Sequence, residues 1–184
     1  MKDFLKELLS GLFTDQKLGA LGAKPSDPSF NLHKEIAATG YKTPQPPNIP
    51  ESRDLAHCHP ELVTRYQRLK AAFRERTGRD LFETCTWRSS EKQQELYKVG
   101  RRGIPGEKII TKIDGVTKRS RHNFFPSQAL DVCVDTDPGP GKHPVWDESS
   151  YLILGPLCGE FGLVWGGNFS FKDYPHVEIG GSEV

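Results

Sequence analysis

The feature that most limits this chain is the run Thr43-Pro44-Gln45-Pro46-Pro47-Asn48-Ile49-Pro50. Its prolines fix φ and remove backbone donors, so neither a helix interior nor a central strand can pass through it. The run therefore reads as linker, and the 184 residues divide around it. Ahead of it, Phe4, Leu5, Leu8, Leu9 and Leu12 recur at helical spacing, which predicts an amphipathic N-terminal helix over 1–13. The polar face of that helix is not basic, so docking on its own domain or on a partner is preferred to a weak membrane contact. Residues 14–53 read as a Pro/Gly-rich linker and 54–184 as one folded domain, large enough for a packed core.

Composition sets the class by exclusion. With 35% hydrophobic and 27% charged residues the chain is an ordinary globular one. Lys and Arg total 25 against 24 Asp and Glu, so there is no bulk field to attract nucleic acid, and Lys118-Arg-Ser-Arg121 reads as a solvated loop. Charges interrupt the apolar start from Met1 to Phe13, so neither a secretion signal nor a transmembrane segment is expected and synthesis should be cytoplasmic. Cys58, Cys85, Cys133 and Cys158 lack Cys-x-x-Cys spacing and read as buried thiols. A monomer is expected.

Downstream of the linker, Pro60 is placed to open a helix whose apolar positions are Leu62, Tyr66, Leu69 and Phe73, with Gly78 as its stop. Leu81 to Arg88 reads as a strand, and Ser90 to Gln93 as a capping box opening a second helix that ends at Gly100. Arg101 to Arg121 is a polar loop. Ala129 to Val134 is a buried strand, Glu148 to Phe161 a helix disturbed at Gly155-Pro156, and His176 to Ile179 a last short strand. Helices and strands mix without βαβ alternation, so the predicted class is α+β with a small antiparallel sheet and flanking helices.

Two of the six histidines share a neighbourhood with carboxylates. His122 lies in a stretch whose turn at Pro126 can bring Asp131 back beside it, and His176 follows Asp173 at the entry of the last strand. Two imidazoles, one carboxylate and an open fourth position make a standard catalytic zinc set. His57-Cys58-His59 resembles a ligand cluster but precedes a helix start, where capping or packing is the plainer role. For a general base, strand periodicity nominates Glu178, which shares a face with His176, while Asp173 in the preceding turn is the other choice.

Three blocks carry a family resemblance. They are Trp87-Arg88-Ser-Ser-Glu-Lys-Gln93 through Tyr97 to Arg101, then Ser120-x-His122-Asn through Pro126-Ser to Asp131, then Trp165-Gly-Gly followed by Asp173-x-x-His176. In order and separation they resemble the zinc D-Ala-D-Ala carboxypeptidase and L-alanyl-D-glutamate endopeptidase family, most closely its phage endolysins. The commonest form of the second block has six residues between His and Asp, including a glycine; here eight intervene, with a Phe125-Pro126-Ser127 turn in its place. The resemblance implies a hedgehog- or D,D-peptidase-like fold with Zn²⁺ held by His122, Asp131 and His176. It makes Asp173 the base and Arg88 the oxyanion partner, with Gln93 and Ser120 binding substrate and Glu178 serving a ligand imidazole. The implied substrate is the peptidoglycan stem peptide, cut between L-Ala and D-Glu in the endopeptidase reading or at terminal D-Ala in the carboxypeptidase one. A non-catalytic zinc-containing wall-binding module is the alternative from another class. Lysis activity would require release to the wall through another protein.

Overall fold

The computed structural model describes residues 46–137 and 139–180, all of them in the unit Pro44–Val184. The expected N-terminal helix and most of the expected linker lie outside the described residues. Helix α1, Pro60–Thr77, forms where the apolar stripe predicts it, with His59 accepting from the Glu61 N–H at its start and Gly78 closing its end at φ 69°. Leu62, Tyr66, Leu69 and Phe73 are fully buried, and the hydrocarbon side chains Leu62, Leu69 and Phe73 each stabilise the fold by about 1.5–3 kcal/mol through burial.

The stripe packs on an antiparallel sheet of five strands: β1 (Asp80–Cys85), β2 (Ala129–Asp135), β3 (Pro144–Val145), β4 (Leu163–Trp165) and β5 (His176–Ile179), in the order β1-β2-β5-β4 with β3 beside β2. Helix α2 (Ser90–Lys98) follows β1, and α3 (Glu148–Tyr151) and α4 (Leu154–Glu160) lie between β3 and β4. The α+β class with a small antiparallel sheet is thus the observed one. Tyr151, Leu154, Leu157, Val132, Val134 and Val177 join the α1 stripe in one core. All four cysteines are free and buried. Among the described residues no helix is long and apolar enough to cross a membrane.

Three departures from the sequence reading have physical causes. The first strand ends at Cys85 rather than Arg88, because register with β2 shifts between Glu83 and Cys85 and the chain then changes partner. The Ser52 N–H donates to Trp87 O at 2.8 Å, Thr86 N–H to Ser52 O at 2.7 Å and Ser89 N–H to Pro50 O at 2.8 Å. Residues 50–52, read as linker, therefore lie alongside 86–89. The single helix expected over 148–161 is two, broken before Leu154, so that Pro156 falls in the first turn of α4, where its missing N–H costs nothing. Strands β3 and β4, of two and three residues, are too short to show a period in the sequence.

Candidate active site

Asp131 and His176 are direct cross-strand partners on β2 and β5, a placement that brings side chains 45 positions apart within reach. His122 arrives from a one-turn 3₁₀ helix, Arg121–Asn123, whose capping box is closed by Ser120 and Asn123. Asn123 Nδ2 donates to Arg88 O at 2.9 Å and the Arg88 N–H donates to His122 O at 3.0 Å. These bonds tie the turn to the 86–89 segment. The eight-residue spacing from His122 to Asp131 is absorbed by a turn whose Ser127 is fully buried, its hydroxyl 2.8 Å from the carbonyls of both Thr86 and Ala129.

The three side chains meet in a near-equilateral triangle. His122 Nε2 is 3.1 Å from Asp131 Oδ1 and 3.2 Å from His176 Nδ1, and His176 Nδ1 is 3.1 Å from the same Asp131 oxygen. The far nitrogens are committed outward: His122 Nδ1 donates to Thr86 O at 2.7 Å and His176 Nε2 donates to Glu178 Oε2 at 3.0 Å. That fixes both tautomers with their inner lone pairs aimed at one point. Ligands about 2.0–2.1 Å from a tetrahedral ion stand roughly 3.3 Å apart, so the triangle has the size a metal requires. The residues present fit a divalent cation with a fourth position left open.

Cys85 also lies in a His/Cys/Asp cluster with His122 and Asp131. Its sulfur is 3.8 Å from His122 Nδ1, the nitrogen already donating to Thr86. Cys85 therefore stands behind the imidazole, while His176 meets His122 and Asp131 on the Nε2 side.

Electrostatics agree with this reading. Burial works against a charge on His122, but the adjacent Asp131 carboxylate outweighs it and pushes the imidazole up to about 10. His176 is raised as well: burial opposes its charge, and bonds to Asp131 and Glu178 overcome the penalty. Asp131 is held well below the usual carboxylate range, the two imidazoles overcoming its burial. A pocket that attracts protons this strongly attracts a divalent cation for the same reason, and the two compete.

Asp173 lies in the turn before β5. Its N–H donates to Gly166 O at 3.1 Å, and its own carbonyl accepts from the His176 N–H at 3.2 Å. Only glycine fits at 166, since a Cβ there would stand 2.3 Å from Asp173 O and 2.8 Å from His176 Cβ. Asp173 is exposed, yet desolvation of its carboxyl by the chain packed behind it, and then the Asp131 charge, raise its pKa. The charges of Asp131, His176, His122 and Arg88 all reach this carboxyl, and a raised carboxyl so placed is suited to taking and returning a proton. Glu178 is turned away on the far side of His176, where it orients that ring.

Arg88 points inward. Its Nη2 donates to Asp131 Oδ2 at 3.3 Å and its Nη1 to Gln93 Oε1 at 3.1 Å, and Glu51 Oε2 is 3.6 Å from its Nε. Gln93, nominated to bind substrate, is buried, and its amide donates to Ile113 O at 2.9 Å and Thr111 Oγ1 at 3.3 Å. Ser120, nominated likewise, is buried and caps the His122 turn. Both sit beside the site with their polar atoms bonded within the domain. Cys85 and Glu51 were missed, because nothing in the spacing of a buried thiol or a linker acid marks it. His57 bonds Ser52 and His59 caps α1, as capping or packing requires.

Residues 114–179 match a family model described as D-alanyl-D-alanine carboxypeptidase. The peptidoglycan L-alanyl-D-glutamate endopeptidase CwlK of Bacillus subtilis (strain 168) is 32% identical over 142 residues, covering 72% of this chain and 77% of that protein. The crystal structure of the Serratia marcescens L-Ala D-Glu endopeptidase ChiX matches with 22% identity and a TM-score of 0.49, over 71% of this chain and 86% of that one. Identity at the level of the Bacillus protein, sustained over more than two thirds of its length, shows common descent: the chain belongs to the D-alanyl-D-alanine carboxypeptidase family of metallopeptidases.

Proposed function

We propose that the chain is a zinc-dependent peptidoglycan endopeptidase that hydrolyses the L-Ala–D-Glu bond of stem peptides. The observation that carries the reading is the triangle of His122, Asp131 and His176, whose charges reach the Asp173 carboxyl, taken together with the activity named for the Bacillus relative. The carboxypeptidase reading is not favoured, since the curated relative is named for the endopeptidase reaction.

His122, Asp131 and His176 would hold the zinc. When bound, zinc supplies Lewis-acid polarisation of the amide carbonyl and acidifies water. Asp173 takes a proton from the attacking water and returns it to the leaving amine as the C–N bond breaks, leaving a carboxylate and a free amino terminus. Arg88 faces the carbonyl oxygen as negative charge develops there, and Gln93 and Glu51 hold it in place. Gln93 and Ser120 act by orienting Arg88 and the His122 turn. Glu178 fixes the His176 tautomer.

The phage-endolysin and bacteriolytic role, cytoplasmic synthesis with release to the wall through another protein, a monomeric state and a contact made by the N-terminal helix belong to the same proposal. They rest on the motif resemblance and the N-terminal sequence.

The test is digestion of purified peptidoglycan by zinc-loaded protein with and without a chelator, reading new termini by mass spectrometry. New N-terminal D-Glu that disappears with chelator is the expected result, and free D-Ala alone would move the assignment to carboxypeptidase. Asp173→Asn separates enzyme from binding module: turnover should fall by about a hundredfold or more with zinc still bound at wild-type stoichiometry. If turnover is unaffected, Asp173 is not the base; if wild-type protein binds zinc and releases no terminus, the wall-binding module replaces the enzyme.

A further inference from the structure

The loop between α2 and the His122 turn is strongly cationic for a near-neutral chain. Over 101–119 it carries Arg101, Arg102, Lys108, Lys112, Lys118 and Arg119 against Glu107 and Asp114. Several of these charges are spent locally: Arg101 stacks on Tyr97, Arg102 pairs with Glu107, and Arg119 bonds the Asn123 carbonyl and lies over Phe124.

Lys112 is placed differently. Its neighbours Thr111 and Ile113 are the two residues gripped by the Gln93 amide, the same side chain that accepts from Arg88. Its ammonium lies 5.2 Å from the centre of the Phe171 ring, two residues before Asp173. Lys112 thus joins the segment held by Gln93, the partner of Arg88, to the stretch that leads into Asp173. It is exposed, and among the described residues no carboxylate pairs with its ammonium. Arg88 and Lys172, by contrast, are engaged, Arg88 by Asp131, Gln93 and Glu51, and Lys172 by the Gly167 carbonyl at 2.8 Å.

A glutamyl residue on the amine side of the scissile bond has two carboxyls. Whichever one carries the peptide onward, the other stays a free carboxylate close to the reacting nitrogen unless it is amidated. We propose that Lys112 is the specificity-determining residue that reads this free carboxylate, so that the enzyme discriminates stem peptides bearing D-glutamate from those amidated at that position. The inference rests on the endopeptidase reading and deepens it. An ammonium parked on an aromatic face keeps its charge and gives up little when it turns to a carboxylate. Amidation removes the charge and adds a donor, which a lysine repels.

The experiment compares two synthetic stem peptides, identical except for a free or amidated carboxyl on the D-Glu, with zinc-loaded wild-type, Lys112→Met, Lys112→Glu and Lys112→Arg protein. Wild type should favour the free acid by about tenfold in kcat/KM, the size of one charge-assisted contact. Lys112→Met should collapse that ratio towards one, Lys112→Glu should invert it, and Lys112→Arg should restore it. Circular dichroism and bound zinc report whether each variant is folded and loaded. Equal wild-type rates on both peptides, or a ratio unchanged in Lys112→Met, overturn the proposal and leave the endopeptidase standing. Cleavage of neither peptide by loaded wild type overturns the endopeptidase reading and this inference with it.

Discussion

Asp131 and His176 stand opposite each other on β2 and β5 and owe their 3.1 Å approach to strand register. His122 and Arg88 reach the same point from irregular chain, held by bonds among the Pro50–Asp54 stretch, the 86–89 segment and the Asn123 turn. The sheet half is over-determined, because moving either side chain means slipping a ladder whose hydrophobic side chains would then face water. The loop half is determined one hydrogen bond at a time, so it can be altered piecemeal. The difference predicts that sheet-side changes abolish the site while loop-side changes weaken it by degrees.

The largest effect should come from Asp131→Asn. It removes the one charge shared by His122, His176 and Arg88 and leaves two imidazoles facing a guanidinium. Bound metal measured by elemental analysis should be lost at micromolar concentration, with activity down by at least about a thousandfold. If metal and turnover survive, the triangle is not the metal site.

A loop-side change should behave otherwise. Gln93→Leu keeps the buried volume but strips Arg88 Nη1 of its acceptor and the Ile113 carbonyl of its donor. Stability should fall by about 1–3 kcal/mol and kcat by about tenfold, with metal content unchanged. Equal loss of metal in this variant and in Asp131→Asn would erase the distinction between the two halves.

The same contrast explains what could be read from sequence. Helix α1 was legible because a stripe of Leu62, Tyr66, Leu69 and Phe73 between Pro60 and Gly78 has few alternatives. Asp131 and His176 were legible as residue types in motif blocks, but their pairing was not, since their register joins segments separated by the whole α3–β4 region. For the base, strand spacing nominated Glu178 and the motif resemblance nominated Asp173. The Glu178 carboxylate points towards the outer nitrogen of His176, which favours Asp173. The roles of Ser52 and Glu51 were invisible, because a proline-rich stretch looks the same whether it is free or laid against a partner segment.

The smallest effect, and the one that tests the electrostatics, is the pH dependence of metal-stripped protein. His122 has a folded pKa raised to about 10 from an ordinary value of 6.5. The protonated ring paired with Asp131 therefore stabilises the folded state fully below pH about 6.5, and that stability is lost as pH rises through about 10. Asp131, held low, works with the opposite sign, and its contribution fades as acid protonates it below the ordinary carboxylate range. Metal-stripped protein should accordingly melt a few degrees lower at pH 9.5 than at pH 6. Metal-loaded protein should show the reverse trend, since ligation requires neutral imidazoles and tightens as protons leave. Parallel melting curves for the two forms across this range would mean that His122 and Asp131 do not form the charged pair that the geometry describes.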